Sequence, residues 1–193
     1  MNGTGSPDVS MLMERCRSGD MSAFRHIVEI HQHYAYTIAF RVLRDEESAK
    51  DVVQEAFIRV WKHIAMYQTT VKFTTWLYKI VVHLCYDRMK MESRRRKIVG
   101  LFGAMTQNED LADGRNPVDA YETRDIAEHL LALAKRLPPR QQLVFMLRDV
   151  QDFTIAEIAE ITEMSAGSVK TNLCYARQRI RAAYEGLERR GER

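Results

Sequence analysis

The amino-acid sequence predicts an all-α protein in which two small helical domains are joined by a flexible linker. Apolar residues recur three and four positions apart along most of the chain, which is the spacing of amphipathic helices, and no stretch alternates with the period of a β-strand. Residues 93–118 change to a mixture of charges, glycine, asparagine and proline that is typical of a linker. We therefore expect domains at 9–92 and 119–188, with a disordered leader (1–8) and a tail (189–193).

Helix-start and helix-stop residues divide the first domain. A short helix is predicted to end near Gly19, and Asp20 is the predicted cap of a long second helix that stops near Arg44. Asp45 is placed to cap a third helix, whose outer face carries acidic and amide side chains. Such a face is usually solvated, but it can also bind a partner helix.

A polar and aromatic break at residues 66–72 is predicted to precede a fourth helix that Thr74 caps and that runs to about Lys90. Its predicted core side is formed by Leu77, Ile80, Val81, Leu84 and Cys85. Its other sides carry Tyr78 and Val82, and there aromatic residues alternate with lysine and arginine. Single-stranded nucleic acid favours that alternation, because rings stack on unpaired bases while cations hold the backbone. Ordinary packing of core and rim explains the same pattern equally well.

The second domain ends in the pattern of a helix-turn-helix motif. Pro139 suits the first position of a continuous helix whose apolar residues are Leu143, Val144, Leu147 and Val150. Thr154 with Glu157 forms a capping box at the start of the next helix. After a four-residue break, Ser165 can cap the last helix. The apolar stripe of that helix is Val169, Leu173, Ala176 and Ile180.

Basic side chains cover the other faces of this last helix, as in helices that enter the major groove of DNA. The net charge of the whole chain is only +3, but residues 88–97 contain six basic residues and one acid, and residues 165–193 contain seven and three. Clusters of this kind bind phosphates. The alternative is an amphipathic helix pair whose basic face is solvated.

Other classes of protein are not favoured by the composition. No run of eighteen apolar residues predicts a membrane span, and the first ten residues lack the features of a secretory signal. Cys16, Cys85 and Cys174 have no paired spacing, so we expect reduced, mostly buried thiols in a cytoplasmic protein without direct membrane insertion. His26 and His33 could share a helix face, but no carboxylate or cysteine completes a ligand set, so we expect no metal and no cofactor.

Three stretches, in this order, resemble bacterial RNA polymerase sigma factors of the extracytoplasmic-function (ECF) type. They are ESAKDVVQEAFIRVWKHI, KFTTWLYKIVVHLCYDRMK and LPPRQQLVFMLRDVQDFTIAEIAEITEMSAGSVKTNLCYARQRIR. The resemblance implies sigma region 2 in the first domain and sigma region 4 in the second. It implies a non-enzyme that binds core RNA polymerase and promoter DNA, directs transcription initiation, has an anti-sigma factor as partner, and takes no small-molecule substrate.

The resemblance also implies roles for individual residues. Those implied to bind core polymerase are Asp51, Gln54, Glu55, Arg59 and Trp61. Those implied to recognise and melt the −10 element are Tyr67, Gln68, Lys72, Phe73, Trp76, Lys79, His83, Arg88 and Lys90. Those implied to read the −35 element are Ser165, Ser168, Lys170, Thr171, Asn172, Tyr175, Arg177 and Arg179.

Two positions depart from the family pattern. His83 stands where many relatives have asparagine, and Asn172 stands where many have arginine. The second change removes a phosphate-binding cation and adds an amide that can read adenine.

Two other functions remain open from the residues alone. One is a helix-turn-helix regulator that acts without core polymerase. The other is an enzyme such as a nuclease, which the sequence disfavours because it has no carboxylate cluster, glycine-rich phosphate loop or nucleophile–base spacing.

Overall fold

The computed structural model describes residues 9–67, 71–105 and 123–191, and all regular structure in these ranges is helical. The predicted all-α fold class is therefore confirmed. Contacts divide the chain into two compact units, Met1–Asp87 and Arg88–Arg193. The predicted leader, the second half of the predicted linker and the end of the predicted tail lie outside the described residues.

The first unit is a helical bundle in which α2 packs against both α1 and α3. Its described elements, in chain order, are α1 (Val9–Arg17), α2 (Met21–Leu43), α3 (Glu46–His63), a 3₁₀ turn (Ile64–Met66) and α4 (Phe73–Met105). The boundary between the two units lies within α4.

The predicted caps of α2 and α3 are confirmed. The Asp20 carboxylate accepts hydrogen bonds from the backbone N–H groups of Ser22 and Ala23, at 2.9 and 3.1 Å. Asp45 accepts one from Ser48 at 2.8 Å. Arg44, after the last residue of α2, adopts the left-handed conformation (φ 54°) that ends the helix.

The apolar faces of these helices form the core of the first unit. Burying one large apolar side chain stabilises a fold by about 1.5–3 kcal/mol. The most enclosed core residues are Met13, Ile27, Val42, Val60, Leu77, Val81 and Val82.

The structure corrects both predicted ends of the fourth helix. It begins at Phe73, and the carbonyl of Lys72, not the side chain of Thr74, receives the first N–H groups. It also continues to Met105, so the first part of the predicted linker, residues 93–105, is helical. Arginine, lysine and methionine have high helix propensity, and no proline interrupts this segment. Tyr78 and Val82, predicted to lie outside the core side, are buried.

The second unit contains the predicted helix-turn-helix. This unit begins within α4. Its further described elements are α5 (Thr123–Ala134), α6 (Pro139–Phe145), a π-helix (Met146–Val150), α7 (Ile155–Thr162) and α8 (Ala166–Gly191).

The start signals of these helices are confirmed. Pro139 occupies the start of α6. The capping box is complete, because Glu157 N–H donates to Thr154 Oγ1 at 3.2 Å and Thr154 N–H donates to Glu157 Oε2 at 2.8 Å. Ser168 N–H donates to Ser165 Oγ at 3.2 Å at the start of α8. The four predicted stripe residues of α8 are all buried.

One element of the second unit was not predicted. The continuous helix expected after Pro139 changes to the π-helix at Met146, and Val150, expected on its apolar side, is 37% exposed. A π-helix inserts a residue into the turn, so it shifts later side chains off the original face. Spacing of apolar residues does not reveal such an insertion.

The three cysteines are free thiols. Cys16 and Cys85 are buried, and burial raises the pKa of both thiols. Cys174 is exposed on α8, so two of the three thiols are buried, in agreement with the expectation of mostly buried thiols.

Candidate protein and nucleic-acid interfaces

The outward side of α3 carries an exposed mixture of acidic, amide and apolar groups. Asp51 and Gln54 are exposed, and Glu55 is partly exposed. Each lies three or four positions from another of them or from Ile58, so the four residues share one side of the helix. Ile58 is 46% exposed at the centre of this set. We call these four residues the α3 outer face. No role was predicted for Ile58, although its position outside the buried stripe of α3 (Ala49, Val52, Ala56, Phe57 and Val60) was a signal.

The other two residues predicted to bind polymerase lie beside this face. Arg59 Nε donates to Glu55 Oε1 at 3.2 Å. The Trp61 ring is partly buried against Phe24 of α2, with ring centroids 4.9 Å apart. These contacts fix their positions at the rim of the α3 outer face.

An aromatic cluster surrounds the start of α4. The Trp76 ring lies 5.1 Å from the Tyr67 ring and 6.1 Å from the Phe73 ring, and Phe73 also contacts His31 at 4.8 Å. Tyr67 and Phe73 are 8% and 4% exposed, whereas Trp76 is partly exposed. The two buried rings therefore support Trp76 and are not placed to stack directly on a DNA base.

The chain before α4 is held at both of its described ends. The Tyr67 hydroxyl donates to the Val71 carbonyl at 2.5 Å, and Arg17 of α1 donates to the Tyr67 carbonyl. Gln68, predicted to contact the −10 element, lies outside the described residues.

Five of the predicted −10 residues share one side of α4 and its cap. They are spaced four, three, four and seven positions apart, and each is exposed or partly exposed. We call this set the α4 cationic face: Lys72, Trp76, Lys79, His83 and Lys90. Arg88 does not belong to the α4 cationic face, because it lies on the side of the helix that carries Leu77 and Val81.

His31 is a buried ionisable group that contacts this aromatic cluster through Phe73. Its Nε2 has no hydrogen-bond partner among the described residues, and burial lowers the pKa of its imidazole. The unfolded chain, with a histidine pKa of about 6.5, therefore binds a proton at higher pH than the folded chain. Stability that depends on neutral His31 is complete above about pH 6.5 and is lost as the pH falls below that value.

We predict that the urea midpoint of the first unit decreases between pH 7.5 and pH 5.5, and that His31→Phe reduces this decrease by removing the proton site. Tryptophan fluorescence is a suitable measurement, because Trp61 and Trp76 both lie in the first unit. His33→Gln, at an exposed histidine of the same helix, is the matched control and should leave the decrease unchanged. Equal pH dependence in wild type and His31→Phe would contradict the assignment.

In α8 the predicted −35 residues fall on two sides of the exposed surface. Ser168, Asn172, Tyr175 and Arg179 are spaced four, three and four apart on one side, and Tyr175 is 52% exposed. We call these four residues the α8 polar face. The Asn172 amide donates to the Ser168 carbonyl at 2.8 Å, which leaves its second N–H and its oxygen available for other partners.

The remaining predicted −35 residues surround this face. Lys170 and Arg177 lie on the other side of α8, with exposed Thr171 between the two sides. Arg177 is paired with Asp149 of the π-helix. Ser165 is exposed and caps α8.

Neither a metal centre nor a membrane span is formed by the residues that the structure describes. They contain no group of three or more histidine, cysteine, aspartate or glutamate side chains that could hold a metal ion. None of their helices has the length and apolar character needed to cross a bilayer.

A helical unit with exposed acidic and cationic faces, followed by a helix-turn-helix unit, defines a class of DNA-binding transcription factors. Residues 27–95 match the family described as Sigma-70 region 2, and residues 127–180 match Sigma-70, region 4. The chain is 30% identical over 179 residues to ECF RNA polymerase sigma factor SigW of Bacillus subtilis (strain 168), covering 91% of this chain and 96% of that protein. The chain belongs to the ECF RNA polymerase sigma factors, which are transcription initiation factors.

Further relatives agree with this family. The ECF RNA polymerase sigma-E factor of Escherichia coli (strain K12) is 26% identical over 184 residues, covering 93% of this chain and 96% of that protein. The fold is similar to that of the sigma factor RpoE from Bartonella quintana, solved in complex with the anti-sigma factor NepR. That match has a TM-score of 0.51 and 17% identity, and covers 84% of this chain and 96% of that one. The alternative of a helix-turn-helix transcriptional regulator that acts without core polymerase is not favoured.

Proposed function

We propose that this sigma factor binds core RNA polymerase through the α3 outer face, contacts the −10 element through the α4 cationic face, and reads the −35 element with α8. The observation that carries the proposal is that one chain combines a capped helix-turn-helix with a region 2 unit whose polar faces are exposed. In domain terms, polymerase binding and −10 recognition belong to residues 9–92, and −35 recognition to residues 119–188.

The proposed −10 contact needs positive charge for the DNA phosphates and one aromatic ring that can stack on an unpaired base. Opening duplex DNA costs about 1.4 kcal/mol per base-pair step, and stacking an unpaired base on an aromatic ring returns about 1–3 kcal/mol. Trp76, supported from behind by Tyr67 and Phe73, is the ring best placed for this contact. Lys72 and Lys79 flank it and suit the phosphates. A few captured bases therefore hold a small bubble open without ATP, once polymerase has positioned the DNA.

The −35 contact is divided between base reading and phosphate binding, because base contacts specify and phosphate contacts position. We assign base reading to Ser168, Thr171, Asn172 and Tyr175, which occupy the first half of α8. Lys170 and Arg179 suit the flanking phosphates. The protein itself is proposed to be a non-catalytic subunit that acts in the cytoplasm. Because the similar sigma factor of Bartonella quintana was solved in complex with an anti-sigma factor, such a factor is a proposed partner.

Run-off transcription with purified core polymerase tests this proposal. We expect transcripts from a subset of genomic fragments of the source organism when this chain is the only sigma factor present, and none when it is omitted. The fragments that are transcribed also identify a promoter. Transcription that requires a second sigma factor would instead assign the chain to the regulators that act without binding core polymerase.

A further inference from the structure

An ion pair joins α8 to the segment that precedes the helix-turn-helix. Arg177 donates from Nε to Asp149 Oδ2 over 3.0 Å and from Nη2 to Asp149 Oδ1 over 2.5 Å. Two parallel hydrogen bonds of this kind fix direction as well as distance. The Arg177 side chain is 55% exposed and the Asp149 side chain is 22% exposed, so the carboxylate is the more enclosed partner. Because exposed ion pairs contribute little stability, any role of this pair is to be sought in the orientation of α8 and not in the stability of the unit.

The π-helix holds both helices of the motif through neighbouring residues. Arg148 donates from Nη1 to the Phe153 carbonyl over 3.0 Å, and the Phe153 N–H donates to the Leu147 carbonyl over 3.0 Å. Phe153 directly precedes Thr154, the cap of α7. Arg148 therefore fixes the start of α7, while Asp149 fixes the middle of α8. A π-helix is a rare element that often marks a functional position.

Arg177 differs from the other cations of α8 in what it faces. Asp149 occupies two of its donors, and a phosphate that approached Arg177 would also meet the negative charge of that carboxylate. Lys170 and Arg179 have no carboxylate partner within the part of the chain that the structure describes. Their charges are therefore available to DNA in a way that the charge of Arg177 is not.

We propose that Asp149 and Arg177 are positioning residues for −35 recognition: their ion pair sets the rotation of α8 about its axis, and Arg177 makes no phosphate contact. This inference rests on the proposed function of α8. It changes the role expected for Arg177 from the sequence, and it gives Asp149, an acidic residue outside α8, a role in DNA binding.

The test measures promoter affinity against salt concentration for the full chain assembled with core polymerase, on a promoter obtained from the run-off assay. Each phosphate contact contributes about 0.9 to the slope of log affinity against log salt. The variants are Arg177→Ala, Asp149→Asn, both together, and the exchange Asp149→Arg with Arg177→Asp. Lys170→Ala is the matched control, since it removes a cation from the same side of α8. Circular dichroism checks that each variant is folded.

We expect Lys170→Ala to reduce the slope by about 0.9, and Arg177→Ala to weaken binding with an unchanged slope. Asp149→Asn should weaken binding to a similar extent, and the double variant should be no weaker than either single one, because the two residues act as a unit. The exchanged pair should recover affinity.

Two results would overturn the inference. One is a slope reduced by about 0.9 in Arg177→Ala, which would make Arg177 a phosphate contact. The other is tighter binding by Asp149→Asn, which would mean that Asp149 only masks the cation. If instead wild type shows no promoter binding with core polymerase, or Lys170→Ala leaves both affinity and slope unchanged, then the proposed function of α8 fails and not only the ion pair's role.

Discussion

Replacing Ile58 by Asp is expected to reduce the affinity of the chain for core RNA polymerase by about 30-fold or more, which corresponds to the loss of one interface hot spot of about 2 kcal/mol. Ile58 is a 46% exposed apolar side chain surrounded by Asp51, Gln54 and Glu55. A carboxylate at this position would be buried without a partner in the complex, next to acids that already repel it. Co-elution with core polymerase and a competition titration measure the effect.

The matched control is Ile30→Asp. Ile30 lies on α2, is 40% exposed, and belongs to none of the proposed interfaces. The Ile30→Asp variant should bind core polymerase as wild type does. If the Ile58→Asp variant binds core polymerase as well as wild type does, the α3 outer face is not the docking surface. Equal weakening by both would point to a general effect of added charge.

Leu77→Ala is expected to destabilise the first unit by about 2–5 kcal/mol, a large share of the roughly 5–15 kcal/mol that stabilises a typical protein. Leu77 has no exposed surface and sits where α4 packs into the unit, next to Phe73 and Trp76 in the chain. Removing its isobutyl group leaves a cavity as well as losing buried apolar area. The quantity to measure is the urea midpoint followed by tryptophan fluorescence.

A control for this change is Ile30→Ala, which removes a similar side chain from an exposed position and should shift stability by less than about 0.5 kcal/mol. We also expect Leu77→Ala to impair promoter opening at temperatures where the first unit is partly unfolded. A change in stability as small as that of Ile30→Ala would mean that α4 is not packed as described.

The sequence was sufficient for several features that depend on local signals, although the expected Thr74 cap of α4 was wrong. Asp20, Asp45 and Thr154 each combine a capping side chain with a following helical pattern, and all three caps are present. The buried stripe of α8 follows from spacing alone. These features need only neighbouring residues, so they can be read without knowledge of the tertiary structure.

Other features depend on contacts between distant residues, and here the sequence was insufficient. The aromatic residues Tyr67 and Phe73 look alike whether they face DNA or pack on Trp76 and His31. Arg177 looks like any basic residue of a recognition helix until Asp149, 28 positions earlier, is placed beside it. The continuation of α4 to Met105 was missed because a basic segment followed by acids, glycine, asparagine and proline resembles a linker in composition.

The uneven burial of the thiols makes this protein easy to label without any engineering. Alkylating reagents attack the thiolate, and the two buried cysteines hold their protons more tightly than a solvated thiol does. A maleimide dye should therefore add selectively at Cys174, on the helix assigned to the −35 element. Its emission would report the arrival of DNA, and the rate of its attachment would show when a bound partner shields that side of α8.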